Sequence, residues 1–509
     1  MKLFLFPINF NDSIKKKHPL QNPETILIIL FQLIIITGAL LAIYQFIFNR
    51  SLWFDEALVS LNIINRNFQE LTMPLSYHQV APIGFLFVER TAVLIFGKTD
   101  LVLRIFPLIS FLASIIFFYL YSNKLVKNKL IALMATSIFS TSIILITYSS
   151  EVKQYSSDVL ITVMILYYTL TVQPKNNKSL FTYAVIGSIA IWFSNISIII
   201  LFVAGLYILY LEAFQRKNYR ILFPILLWLL SFCIYYFLFI HNHPYAEWMM
   251  TYWKKAFLPL NLFSDSLYSF LHRVLKRDFY GYILNFGAYW YIPLLISLGA
   301  IVYLLKQKKY TILYLCLSPI IVHLILSGLM LYPFSRRLIL YISPLIILIF
   351  SIGLYNLFKY VNIKIIRLPY ILLIIPILLA FNSKRSKFPI EKEEIKNSLN
   401  YLEQNINKED KIYVYYASKG AFEFYQETKM FNITNPIIFG KAHRNKNYNY
   451  NNKLLNLKGK VWLLFSHIFP FKKDNEEKYM VDFLLSNGSE LIDVKKYRGS
   501  SVYLVDTKK

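Results

Sequence analysis

Two adjacent carboxylates, Asp55 and Glu56, stand shortly after the first long apolar stretch of the sequence. Carboxylates at the edge of a low-dielectric region are expected to have raised pKa values, which would make one of them a stronger general base. Neighbours on a helix point about 100° apart, so at most one of the two can face a given substrate atom. The pair is therefore a candidate catalytic site. A helix start, at which the backbone dipole favours acids, is the alternative.

A second polar cluster lies in a short turn between two apolar stretches and contains Glu151, Lys153 and Tyr155. Residues four apart share one face of a helix, so Glu151 and Tyr155 could point to the same place. Lys153 could contact an anionic headgroup. An ordinary solvated turn would show the same pattern and is the alternative.

Arg336 and Arg337 follow a later apolar stretch. Arginines at the outer membrane boundary run against the usual cytoplasmic excess of Lys and Arg. A guanidinium group binds phosphate oxygens through two parallel hydrogen bonds, so this pair is a candidate phosphate clamp. Snorkelling of both side chains to lipid headgroups is the alternative.

A metal site is the weakest of the chemical candidates. His241 and His243 could ligate a divalent ion together with Glu247. Two histidines in a loop are more often plain polar residues. We therefore predict no metal ligands and leave a divalent cofactor open.

The composition places these residues in a membrane protein. Of 509 residues, 56% are hydrophobic, an excess that a soluble protein could not bury. The mean hydropathy is +0.47. Apolar stretches long enough to cross a bilayer predict about eleven transmembrane helices. Their approximate bounds are 26–48, 101–121, 130–148, 157–172, 181–193, 197–213, 221–240, 289–305, 311–331, 338–357 and 369–381.

The net charge of +26 would suggest a nucleic-acid partner in a soluble protein. Here the basic residues concentrate in alternate short loops and in a tail rich in Asn, Lys and Ile, so we exclude nucleic acid and expect membrane lipids as partners. Lysines at 15–17 place the N-terminus in the cytoplasm. Eleven spans then place the C-terminus on the outer side of the membrane.

The chain divides into a transmembrane module, 1–381, and a soluble extracytoplasmic domain, 382–509. Alternating helix-like and strand-like patterns in the second part predict a small α/β domain with a mainly parallel sheet. Its predicted strands are 412–416, 436–439, 461–465 and 502–505.

Two long segments of the transmembrane module, 49–100 and 241–288, should lie on the outer face. Within the first of them, 56–68 and 80–96 mix apolar with sparse polar residues. This pattern predicts amphipathic helices lying in the membrane interface.

Several short motifs, taken together, resemble the GT-C glycosyltransferases that use polyprenyl-phosphate sugars. The nearest branch is that of the protein O-mannosyltransferases and the bacterial lipid A aminoarabinose transferases. The matching motifs are Trp53-Phe54-Asp55-Glu56-Ala57, Gln79-Val80-Ala81-Pro82, Leu103-Arg104-Ile105-Phe106-Pro107, Ser150-Glu151-Val152-Lys153-Gln154-Tyr155 and Arg336-Arg337. The resemblance implies an α-helical polytopic membrane fold. It also implies inverting transfer of a sugar, on the outer face, from a polyprenyl-phosphate donor to a protein, lipid or glycan acceptor.

The resemblance also implies roles for the acids. Asp55 matches the family's general base in the first outer loop, and Glu56 completes that pair. Glu151 falls where a second catalytic acid often sits. A bacterial cytoplasmic membrane is the expected location.

The binding residues follow from the same resemblance. Lys153 and Arg337, or Arg336, match positions that could hold the donor phosphate. Relatives often carry Arg where this chain has Lys153, so the charge is kept but the bidentate fork is lost. The expected substrate-binding residues are Tyr77, His78, Gln79 and Tyr155.

Three other classes of function are compatible with a polytopic chain. A transporter or lipid flippase would show internal repeats and polar sites on broken helices at the midplane, neither of which is clear here. A polysaccharide polymerase usually places its main outer loop late in the chain. A structural or assembly protein would bind partners through its outer domain and would be inert toward every lipid-linked sugar. An outward-facing cavity lined by Asp55, Glu151 and Arg337 would favour the enzyme.

Overall fold

The computed structural model describes residues 23–261, 263–361, 388–442, 454–471 and 473–507. Up to residue 361 it is helical. The α-helices of this part are α1 (Pro23–Ile47), α2 (Phe54–Asn65), α3 (Phe68–Leu71), α4 (Ile83–Phe96), α5 (Ile105–Val126), α6 (Lys129–Ser140), α7 (Ile143–Tyr148), α8 (Tyr155–Thr171), α9 (Asn177–Phe193), α10 (Ser197–Ile208), α11 (Leu222–Tyr235), α12 (Ala246–Tyr252), α13 (Asp265–His272), α14 (Tyr291–Lys306), α15 (Tyr310–Gly328) and α16 (Ser343–Val361). Short 3-10 and π-helical turns extend or join several of them.

Ten of the eleven predicted transmembrane segments fall on helices. The eleventh, 369–381, and the lysines at 15–17 lie outside the described residues. Within the described part, seven helices are long and apolar enough to cross a membrane. Their outer surfaces are apolar as well, as on α11, where Leu226, Leu229 and Leu230 are 62%, 53% and 57% exposed. Because water-soluble surfaces rarely carry such patches, the chain is an integral membrane protein.

The predicted span 130–148 is broken into α6 and α7. The break comes at Thr141 and Ser142, after a run of small hydroxyl residues. The Thr141 hydroxyl donates a 2.8 Å hydrogen bond to the carbonyl of Ser137, a local bond that competes with regular helix geometry. The predicted separation of span 181–193 from span 197–213 is confirmed, since α9 ends at Phe193 and α10 begins at Ser197.

The C-terminal part carries a small sheet with helices packed against it. Its elements are α17 (Ile395–Asn405), β1 (Lys411–Val414), α18 (Lys419–Glu427), β2 (Ile437–Phe439), β3 (Gly459–Ser466), β4 (Pro470–Phe471), β5 (Asp474–Asn475), α19 (Glu476–Ser486), β6 (Glu490–Tyr497) and β7 (Ser500–Thr507). The five-stranded sheet has the order β2-β1-β3-β7-β6.

The sheet is mixed, so the expectation of a mainly parallel sheet is wrong. β1 runs parallel to β2 and β3, whereas β7 is antiparallel to both β3 and β6. The four predicted strands are present, but β6 was not predicted because its charged, largely exposed sequence lacks the alternation of a half-buried strand. It forms a hairpin with β7 across Gly499, whose φ of +67° suits glycine.

The predicted interfacial placement of helix 56–68 is also wrong. In α2, nine of twelve residues are buried, because α18 of the C-terminal part packs on it. The contact is close at Gly420, where a Cβ atom would lie 2.7 Å from the side chain of Leu58. Helix α4, by contrast, ends in an exposed apolar run from Leu94 to Phe96, which fits an interfacial position.

A second contact fixes the start of the C-terminal part to the first helix. The Gln45 side-chain amide donates to the carbonyl of Ile390 at 2.9 Å and accepts from its N–H at 2.7 Å. Farther along, the Lys396 ammonium lies 2.5 Å from Asp100 of the first outer loop. The segment 388–396, named here the strap, is thereby held against the end of the helical part that carries Gln45 and Asp100.

Candidate active site

Glu56 is the buried centre of an ion-pair network at the start of α2. Its carboxylate lies 2.6 Å from Arg50 and 3.4 Å from Arg104, and it accepts a 2.9 Å hydrogen bond from the N–H of Val152. Burial alone would raise the pKa of Glu56, but the charges of Arg50 and Arg104 outweigh it and lower the pKa to about 2. Because all these groups are buried, Glu56 joins the first outer loop to the turn before α8 rather than facing a substrate.

Asp55 points the other way, to Arg337. One carboxylate oxygen lies 2.5 Å from the guanidinium Nη1, and both side chains are 18% exposed. The guanidinium carbon also lies 5.8 Å from the ring centre of Trp53 and 5.9 Å from that of Tyr155. These rings restrict the position of Arg337 beside the acid.

The expectation of raised carboxyl pKa values is wrong for both acids. Burial would raise the pKa of Asp55, but the nearby charges of Lys153 and Arg337 outweigh burial and lower it to about 2. The burial of the two acids in a region of low dielectric was predicted correctly. The number of cations around the two acids was not predicted.

Lys153 is a buried cation with a neutral partner. Its ammonium donates a 2.7 Å hydrogen bond to the side-chain carbonyl of Gln79, and no carboxylate of the described residues lies within 4.0 Å. Burial lowers the pKa of Lys153, attraction to Asp55 raises it, and repulsion from Arg337 lowers it further, with a net lowering. An anion entering here would gain a charge partner and relieve this cost.

Glu151 is fully buried and is held on both oxygens. It accepts a 3.0 Å hydrogen bond from the indole of Trp53 and lies 2.6 Å from the ammonium of Lys392. Arg50 is 3.8 Å away. Lys392 also lies 4.2 Å from the ring centre of Trp53, so this strap residue enters the same cluster as Asp55 and Arg337.

The C-terminal part supplies two further groups that the sequence analysis missed. Nδ1 of His467, the residue after β3, lies 2.6 Å from Glu393, and the His467 ring stacks on Phe54 at 4.7 Å. Glu393 and Lys392 belong to a charged run in the sequence that resembles a solvated surface. Only the folded strap brings them to Trp53 and Phe54, so no local signal could have identified them.

Comparison with known proteins agrees with this architecture. No family model and no curated protein matches the sequence. The oligosaccharyltransferase of Archaeoglobus fulgidus, crystallised with Zn and sulfate, matches with a TM-score of 0.52 and 12% identity, over 84% of this chain and 67% of its own. ArnT from Cupriavidus metallidurans bound to undecaprenyl phosphate matches with a TM-score of 0.53 and 11% identity, over 94% of this chain and 97% of its own. The chain has the GT-C fold. Since the match to ArnT spans almost the whole chain, the GT-C architecture includes the C-terminal part.

Within this GT-C fold, three of the predicted binding residues do not point at the cluster. Arg336 is exposed and has a φ of +40°, so only Arg337 of the predicted clamp faces Asp55. The hydroxyl of Tyr77 lies 3.4 Å from Glu423 of the C-terminal part. His78 stacks on Trp248 of the second outer loop at 4.8 Å. The other two predicted substrate-binding residues, Gln79 and Tyr155, do contact the cluster, through Lys153 and Arg337 respectively.

The histidines considered for a metal do not form a site. Among the described residues, no three His, Cys, Asp or Glu side chains are close enough to share an ion. His243 Nδ1 accepts a 3.3 Å hydrogen bond from the N–H of Tyr245.

Two apolar clefts of the GT-C fold lie away from the charged cluster. One, of about 420 Å³, is lined by residues of α3, α4 and α9, including Phe87 and Phe193. The other, of about 350 Å³, lies between α14 and α16. Neither cleft contains Asp55, Glu151 or Arg337, so neither is the cavity expected for the enzyme. Glu151 and Arg337 instead both contact the Trp53 side chain, and Asp55 pairs with Arg337.

Proposed function

We propose that this chain is a membrane glycosyltransferase that moves a sugar from a polyprenyl-phosphate donor to an acceptor at the outer membrane face, with inversion. One observation carries the proposal. The Asp55–Arg337 pair, drawn from two distant helical segments, stands beside a buried lysine, Lys153, that has no carboxylate of the described residues within 4.0 Å. This combination offers an acid and positive charge in one place.

The chemistry needs both kinds of group. Breaking the bond between the anomeric carbon and the phosphate oxygen develops positive charge on the sugar and negative charge on the leaving phosphate. Arg337 uses one nitrogen for Asp55, and its other N–H groups can donate to phosphate oxygens. Lys153 would give the phosphate a second cation, and the anion would in turn stabilise the lysine.

In this proposal, Asp55 is the general base for the acceptor hydroxyl. The acceptor oxygen attacks the anomeric carbon on the face opposite the phosphate, and the polyprenyl phosphate leaves with the bonding electrons. Glu56 and Glu151 take positioning roles, because both are buried and already paired with Arg50. They fix the start of α2 and the turn that carries Lys153.

The donor class follows from the membrane setting and from one comparison. A lipid-linked donor reaches a site at helix ends without a nucleotide-binding loop. ArnT of the same fold was crystallised with undecaprenyl phosphate, which supports a lipid of that class as the leaving group here. We place the chain in a bacterial cytoplasmic membrane, with its N-terminus cytoplasmic and residues 382–509 forming an extracytoplasmic domain.

The test is donor turnover by the full-length protein in lipid nanodiscs. Undecaprenyl phosphates carrying tritiated hexoses or aminoarabinose are the probes, and release or transfer of the labelled sugar is measured. We expect at least one donor to be consumed, with an inverted linkage in any transferred product. Movement of a probe between leaflets without cleavage would support the flippase alternative. Failure to consume any donor would contradict the proposed function.

A further inference from the structure

His467 occupies a constrained position at the edge of the C-terminal sheet. It follows β3, whose carboxyl end lies beside that of the parallel strand β1, the usual edge for ligand binding in such sheets. Its backbone φ of +51° lies in the left-handed region, which costs a non-glycine residue free energy. Its ring is nearly parallel to that of Phe54, with an angle of 12° between them. Phe469 packs against its edge at 4.8 Å.

Glu393 fixes the protonation pattern of this imidazole. One oxygen of Glu393 lies 2.6 Å from His467 Nδ1, and the other accepts a 3.3 Å hydrogen bond from the N–H of Phe54. An ionised carboxylate only accepts hydrogen bonds, so Nδ1 must carry the proton. The lone pair of the neutral ring is therefore on Nε2. That atom has no hydrogen-bond partner among the residues that the structure describes.

This pair stands next to the proposed base. Phe54, which contacts both members of the pair, immediately precedes Asp55. The Trp53 ring centre lies 5.8 Å from the guanidinium carbon of Arg337, the ion-pair partner of Asp55. The ring of Trp53 lies 6.0 Å from the imidazole. With 25% of its side chain exposed, His467 can also exchange protons with water.

We infer that His467, oriented by Glu393, receives the proton that the acceptor loses during glycosyl transfer. The inference rests on the proposed function and adds a residue to it. A carboxylate as acidic as that of Asp55 can polarise a hydroxyl but cannot keep its proton at neutral pH, whereas an imidazole exchanges protons in that range. The arrangement of carboxylate, imidazole and substrate-facing group follows the general logic of an activated base.

The step balances without a further reactant. The acceptor O–H bond breaks, its proton passes through Asp55 to His467 Nε2, and the acceptor oxygen bonds to the anomeric carbon. The bond from that carbon to the phosphate oxygen breaks, and its electron pair leaves with the polyprenyl phosphate. Glu393 balances the imidazolium charge until the proton passes to water.

His467→Asn is the variant that separates proton transfer from structure. Asparagine tolerates a left-handed backbone and can donate to Glu393 in place of Nδ1, but it cannot accept the proton. We expect kcat to fall about 10²-fold or more, with the donor KM within about twofold and the acidic limb of the pH–rate profile lost. Glu393→Gln should behave similarly, because an amide can donate to Nδ1 and shift the ring proton to Nε2. Imidazole added to His467→Gly should restore part of the rate.

Matched controls make the outcome decisive. His272→Asn changes an exposed histidine of the second outer loop and should leave turnover unchanged. Asp55→Asn, assayed on the same tritiated donor, reports on the proposed function itself. If Asp55→Asn is inactive while His467→Asn keeps its rate and its pH profile, the role of His467 is refuted and the glycosyltransferase proposal stands. If no donor is consumed by the unmodified protein, both fall together.

Discussion

Lys392 and Glu151 are 241 positions apart in the sequence and form a 2.6 Å ion pair inside the charged cluster. The lysine comes from the strap and the glutamate from the turn before α8. The pair therefore joins the C-terminal part directly to the residues proposed to bind the donor. It also explains how the fully buried carboxylate of Glu151 is tolerated. The other cation near Glu151, Arg50, is farther away, at 3.8 Å.

Replacing Lys392 should lower the stability of the protein, because Glu151 is a buried acid. In Lys392→Met, Glu151 loses its nearest cation, and we expect a loss of about 3 kcal/mol in the free energy of unfolding, at the low end for a buried pair because Lys392 is 27% exposed. Thermal unfolding in nanodiscs measures it. The double variant Lys392→Met with Glu151→Gln should recover part of the loss. An additive double-mutant cycle would show that the two residues do not interact.

Lys153→Met should have the opposite effect on stability. Lys153 has no carboxylate within 4.0 Å in the part of the chain that the structure describes, so removing this buried cation relieves a desolvation cost, and the melting temperature should stay equal or rise. Binding of undecaprenyl phosphate should weaken about tenfold or more, since one charge partner of the phosphate is gone. Titration of the protein with undecaprenyl phosphate checks this. Unchanged affinity would remove Lys153 from the phosphate site.

Asp55→Asn keeps a hydrogen-bond acceptor for Arg337 while removing the negative charge. We expect kcat to fall at least about 10²-fold, which corresponds to roughly 2.7 kcal/mol of transition-state stabilisation. Membrane insertion and expression should not change, because the side chain lies at the edge of the buried network. Steady-state turnover of a labelled donor is the measurement. Near-full activity would exclude Asp55 as the base.

The lowered carboxyl pKa values predict a stability loss in acid. Asp55 and Glu56 have pKa values of about 2 in the folded protein against ordinary values of 3.8 and 4.5. A depressed folded pKa contributes stability above the unfolded value, and this contribution is lost as the pH falls through the folded one. The melting temperature should therefore fall progressively between about pH 4.5 and 2. Glu56→Gln should flatten this dependence, whereas an unchanged slope would show that other acids determine it.

The sequence predicted the elements whose signals are local. Apolar stretches gave the helices because burial in lipid needs only length and composition, and the polar break near Ser194 marked a real helix boundary. Which of two neighbouring arginines enters the cluster could not be predicted. That choice depends on the left-handed backbone at Arg336, which turns one side chain outward and its neighbour inward.

The contributions of the C-terminal part were beyond sequence reasoning for another reason. Lys392, Glu393 and His467 carry no motif. The residues of the helical part that they contact, Glu151 and Phe54, lie hundreds of residues earlier in the chain. The predicted direction of the carboxyl pKa shifts was wrong for a related reason. The position of Asp55 at an apolar boundary was visible, but the cations that reverse the effect of burial come from separate segments that only folding brings together.

The paired amide bonds between Gln45 and Ile390 tether the strap to the last turns of α1, two residues before Lys392. Any tilt of the C-terminal part must either break this tether or drag the lysine out of contact with Glu151. The charge around Glu151 thus depends on how the C-terminal part is positioned. A chain with all its membrane helices in place but this part displaced would still reach the bilayer, yet the charged cluster would lack the positive charge of Lys392.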